Sequence, residues 1–80
     1  MRKKKITIQD AMNHADDIDV YSALQQFSPH KSITRAGLQN IYDFSHAAKN
    51  HQSTKPFIKK AGLNSTYSIS LPQLIKAEIK

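Results

Sequence analysis

Apolar residues fall along this chain in short clusters whose spacing changes from one cluster to the next. Ile8, Met12 and Ala15 recur at helical intervals. Thr7 followed by Asp10 makes a capping-box-like start, with Ile6 placed to staple against Ala11, so a first helix is predicted after Thr7. The pattern breaks at Asp16 and Asp17, after which Val20, Tyr21, Leu24 and Phe27 restore a helical face. Ser28-Pro29 ends that helix and offers the N-cap and first residue of a third, short one, which would stop at Gly37. Beyond Leu38, the positions of Ile41, Phe44 and Ala48 predict a longer helix ending near Asn50. HQSTK reads as a polar linker, and Pro56 opens a short helix over residues 57–61. Tyr67, Ile69 and Leu71 alternate with Thr66, Ser68 and Ser70, a strand-like pattern. Pro72 cannot lie inside a helix but can begin one capped by Ser70, with Leu71, Leu74, Ile75 and Ile79 as its apolar face. The prediction is a mainly α fold of five or six short helices, with a short extended segment near 66–71. One small domain would span residues 6–80, preceded by a basic flexible arm at residues 1–5.

Two stretches of the chain are similar. ITRAGLQNIYDFS (33–45) and IKKAGLNSTYSIS (58–70) align without a gap and share Ile, Ala, Gly, Leu, Tyr and Ser. The I-x-x-A-G-L half predicts two helix C-termini. With Gly37 and Gly62 at C′, the C3 and C″ positions are Ile33 with Leu38 and Ile58 with Leu63, the apolar pairs of a Schellman motif. Arg35 and Lys60 would then sit at C1, where a cation complements the helix dipole.

Composition narrows the class. At 80 residues a single core supplies about 3–5 kcal/mol. The absence of Cys removes disulfides and thiolate chemistry and suits a reducing, cytoplasmic setting. MRKKKITIQD leads into no apolar run, so it does not read as a signal peptide, and no stretch approaches the ~20 apolar residues of a membrane span. The net charge of +6 is unevenly distributed. Arg2, Lys3, Lys4 and Lys5 open the chain, and residues 6–30 hold Asp10, Asp16, Asp17 and Asp19 with no Lys or Arg. Residues 31–80 carry eight basic residues against Asp43 and Glu78. A focused positive field of that kind attracts polyanions and points to nucleic acid.

No catalytic or metal chemistry is legible. His46 and His51 are five apart, off a shared helix face, and no H-E-x-x-H, G-x-S-x-G, P-loop or G-x-G-x-x-G spacing occurs. The expectation is a non-enzyme with no metal and no cofactor.

PHKSITRAGLQNIYDFSHAAKN (29–50) resembles a helix-turn-helix, with Gly37 in the tight turn and a second helix after it. The resemblance implies that Gln39, Asn40 and Tyr42 meet bases or sugars while Lys31, Arg35 and Lys49 hold phosphate. KPFIKKAGLNSTYSISLPQLIKAEIK (55–80) is similar to helix–extended loop–helix modules such as SAP and the N-terminal module of the Rho termination factor. Lys59, Lys60, Gly62, Leu63, Leu74 and Ile75 follow the order of that family. Lys55, Lys59 and Lys60 are a second basic set of candidates for binding nucleic acid. Tyr42 and Tyr67, equivalent in the repeat, could stack on bases or pack in the core.

These features together describe a small basic DNA-binding protein, a regulator or antitoxin-like repressor, able to act as a homodimer. A third reading is general RNA or single-strand binding through the tyrosines. The main alternative is a protein-interaction module, such as a phage- or plasmid-encoded inhibitor of a host complex. It would dock through the acidic first half, with Met12, Tyr21 and Phe27 as anchors.

Overall fold

Two threonines perform the same task at two places and organise the molecule. The computed structural model describes residues 5–79. Lys5–Thr7 forms β1, and Thr7 caps α1 (Ile8–Asn13), its hydroxyl accepting from the Asp10 N–H at 3.1 Å. After α2 (Ile18–Leu24), Ser32–Thr34 forms β2, and Thr34 caps α3 (Arg35–Lys49) by accepting from the Gly37 N–H at 3.0 Å. K-I-T and S-I-T are thus two strand-then-cap units. They pair antiparallel with Lys5 opposite Thr34, Ile6 opposite Ile33 and Thr7 opposite Ser32. A bridge from Ile33 to Ile79 adds the end of the chain to the other edge of β2.

α4 (Lys55–Lys60) and α5 (Leu71–Glu78) bring the helices among the described residues to five, so the fold is mainly α as expected. α3 is the central element and packs against α2, α4 and α5. Its Ile41 and Phe44 join Ile8, Val20, Leu24, Ile33, Ile58, Leu74 and Ile75 in one core. Ser70 begins α5 as expected, its N–H donating to Gln73 Oε1 at 2.8 Å.

Three expectations are corrected. Residues 29–34 are a turn and a strand rather than a third helix. Consequently Gly37 lies in the first turn of α3 rather than at a helix end, and the tight turn of a helix-turn-helix is not formed there. A Cβ at Gly37 would stand 3.0 Å from Glu78 Oε1 and 3.2 Å from Thr34 Oγ1, so glycine admits the close approach of that carboxylate. Residues 66–70 contain no strand. Ser70 is extended (φ −89°, ψ 165°) but unpaired in any strand. The two strands that do form have three residues each, shorter than the alternation that reveals a strand in a sequence. Of the arm read over residues 1–5, residues 1–4 lie outside the described residues and Lys5 opens β1.

The second copy of the repeat folds as predicted. Gly62 has φ 83°, its N–H donates to Lys59 O at 2.9 Å, and the Leu63 N–H donates to Ile58 O at 3.2 Å. That is a Schellman closure. Gly62→Ala should cost about 1–2 kcal/mol for the left-handed backbone alone, since a Cβ there meets nothing within 4 Å. A urea titration checks this. An unchanged midpoint would mean that the closure is not held by the backbone.

Candidate nucleic-acid interface

The structure separates the sequence-predicted site residues into two groups. Lys55, Lys59 and Lys60 share α4, and all three are exposed. Among the described residues none of them lies within ion-pair distance of a carboxylate. Residues 44–77 contain no Asp or Glu, so α4 and the segments that flank it along the chain carry no acid. Pro56 starts the helix with a preset φ, and Ile58 anchors its inner face in the core. The lysines are therefore carried on a fixed element. Lys60 Nζ stands 5.8 Å from the centroid of the Phe57 ring, a cation–π contact that restrains its amine.

The residues on α3 are placed differently. Asn40 is buried and cannot read a base. Its Nδ2 donates at 2.8 Å to Phe57 O and at 2.8 Å to Glu78 Oε2, tying α3 to α4 and α5. Two acceptors beside the nitrogen fix the amide orientation, which leaves the buried Asn40 Oδ1 without a partner. Gln39 is exposed, but its Nε2 donates to Asp43 Oδ1 at 3.0 Å. Tyr42 is half-buried against the core; burial pushes its pKa up, and the charges of Asp16 and Asp17 push it further. A phosphate would meet those same two carboxylates.

Lys49 is engaged within the molecule. Its Nζ donates to Asp17 Oδ1 at 2.7 Å and lies 3.5 Å from Asp19 Oδ2, and the hydrogen bond to Asp17 raises its pKa. Asp17 is buried at the N-cap of α2. Besides Lys49 it accepts from Ser45 Oγ at 2.9 Å and from the Asp19 N–H at 2.9 Å. Burial raises the Asp17 pKa, but these donors outweigh it and hold the carboxyl at about 2. The exposed side of α3 thus runs beside the acids of the α1–α2 connection, where Tyr42 and Lys49 lie, while Asn40 is buried. Arg35 and Lys31 are exposed, apart from the lysines along the chain. Arg35 stands at the first position of α3 rather than at a helix C-terminus, and at an N-terminus a cation gains nothing from the dipole.

A cleft of about 510 Å³ lies between Phe44, Ala48 and Leu71, with Asp19 and Lys49 at its edge. Those two charges face each other, so the cleft offers no net charge to a polyanion. A smaller, hydroxyl-rich groove lies beside α4, lined by Lys55 and Tyr67 among others. The sequence reading passed over this groove, although the serine-rich connection STYSIS after Gly62 was its signal. It also passed over Lys76, exposed on α5, and Ile18, 70% exposed on α2. Among the described residues no group of three or more His, Asp or Glu converges as a metal would require, and no helix is long and apolar enough to cross a membrane.

Compared with protein-family models, curated proteins and solved structures, the chain matches none.

Proposed function

We propose that the protein is a small, non-catalytic, cytoplasmic DNA-binding protein, a regulator or antitoxin-like repressor, that grips phosphate through α4. One observation carries the reading: Lys55, Lys59 and Lys60 are exposed on one short helix without an acidic partner among the described residues. Lysines free of intramolecular pairs release counterions from DNA at little cost, and this release supplies most non-specific affinity. Insertion of α3 as a recognition helix is not part of the proposal, since Asn40 is buried and Tyr42 and Lys49 face acids.

The test is fluorescence anisotropy with a short mixed-sequence duplex at about 50 and about 200 mM salt. The wild-type chain binds at the lower salt and weakens steeply at the higher. Lys59→Ala with Lys60→Ala weakens binding uniformly across sequences and reduces the salt slope by about 2. No binding at low salt to this duplex or to its separated strands would sink the reading. The weight would then pass to the second one, a protein-interaction module docking through α2. That reading is favoured by Ile18, 70% exposed, and Tyr21 three residues on, flanked by Asp16 and Asp19.

A further inference from the structure

Gly62 reverses the chain at the end of α4, and residues 65–68 return beside the start of that helix. The groove between them has a volume of about 240 Å³. Lys55 and the hydroxyl residues Ser53, Ser65 and Ser68 line it, and the buried Ile58 contributes an apolar patch. No acidic residue lines it. Small-molecule pockets hold roughly 300–1,000 Å³ and are mostly apolar. This groove is smaller and rich in hydroxyls, which suits a sugar–phosphate unit rather than a whole apolar ligand. Tyr67 also lines it and is 68% exposed, so its ring has an uncovered π-face. Tyr42, its equivalent in the repeat, has its ring against the core.

We infer that this groove binds one nucleotide of a single-stranded nucleic acid. The phosphate sits on the Lys55 amine, the sugar meets the serine hydroxyls, and the unstacked base lies on the Tyr67 ring. Single strand is favoured over duplex because base faces in a duplex are covered by their neighbours, whereas an exposed aromatic ring binds only an uncovered face. Lys59, one helical turn beyond Lys55, is placed to take an adjoining phosphate. The inference rests on the phosphate-binding reading of α4 and narrows it to the kind of strand held.

The experiment compares an oligo-thymidine strand with a duplex of equal length at low salt, using wild type, Tyr67→Ala and Tyr67→Phe. The chain has three tyrosines and no tryptophan, so a base stacked on Tyr67 quenches a substantial share of the intrinsic fluorescence. Tyr67→Ala should weaken single-strand binding about 5- to 100-fold and leave duplex binding within about twofold, the limit set by a surface change. Tyr67→Phe should keep the single-strand affinity while losing the quench. Because the side chain is mostly exposed, far-UV circular dichroism should be unchanged in both variants. If duplex binds and Tyr67→Ala leaves the single-strand affinity intact, the groove is not the site and the α4 reading stands. If wild type binds neither strand nor duplex, both readings fall together.

Discussion

Asp17→Ala should lower the unfolding free energy by about 2–4 kcal/mol and abolish most of the acid sensitivity of the fold. Three losses coincide in that substitution. The N-cap of α2 is worth about 1 kcal/mol. The buried Ser45 hydroxyl loses its acceptor, at about 1–3 kcal/mol for an unsatisfied buried group. Lys49 loses its partner, but it is half exposed and can return to water, which adds little. Lys49→Ala instead leaves the buried Asp17 carboxylate without its cation and should raise the Asp17 pKa. Against the roughly 3–5 kcal/mol expected of a core this size, the aspartate change leaves the chain close to its unfolding threshold. Asp17→Asn keeps the cap and a Ser45 contact and should fall between wild type and Asp17→Ala.

The pH dependence has a definite sign. The folded-state pKa of Asp17 is about 2 against 3.8 for the unperturbed group. The carboxylate therefore contributes stability that is fully present above about pH 4 and is lost as pH falls through about 2, to an extent of about 2 kcal/mol. Urea midpoints measured across that window should drop in wild type and stay nearly flat in Asp17→Ala. Parallel curves for the two would place the acid sensitivity elsewhere.

Ile33→Ala should be at least as damaging, at about 2–5 kcal/mol. Ile33 is fully buried in the middle of β2, paired with Ile6 on one side and Ile79 on the other. A cavity there is bounded by backbone on both flanks, which cannot collapse without breaking strand pairing. Ile33→Val should cost about 0.5–1.5 kcal/mol. Ile18→Ala, on an exposed isoleucine of α2, should change stability by no more than about 0.5 kcal/mol. Thermal or urea unfolding of the three variants tests the ranking. An Ile33→Ala variant as stable as Ile18→Ala would show that the sheet does not hold the helices together.

The repeat shows why the fold was only partly legible. The caps at Thr7 and Ser70 read directly, the first held by the Thr7 hydroxyl and the second by the Gln73 side chain three residues on. I-x-x-A-G-L did not decide its own structure. The aligned residue is Thr34 in one copy and Lys59 in the other. Threonine accepts from the Gly37 N–H and starts a helix, whereas lysine has no acceptor and lets the earlier helix run on to Gly62. The same six-residue pattern therefore opens α3 and closes α4.

The candidate site was legible in charge but not in pairing. Lys55, Lys59 and Lys60 cluster along the sequence and so also in space. Lys49 looked equivalent to them. Its partner Asp17 is 32 residues away, and nothing local to Lys49 reveals the contact. Asn40 likewise read as a polar residue on a helix face, because its partner Glu78 is 38 residues distant.

Those distant partners set how the domain can be assembled in time. Asp17 with Lys49, Asn40 with Glu78, and Ile33 with Ile79 each join segments far apart along the chain. Each must close a long loop before it returns any free energy. Contacts of this kind slow folding relative to a helical bundle held by local contacts alone. In chain order α1 to α4 all precede Glu78 and Ile79, which complete the network around α3 and β2. Without those two residues the chain has helices but lacks part of the frame that fixes how they pack.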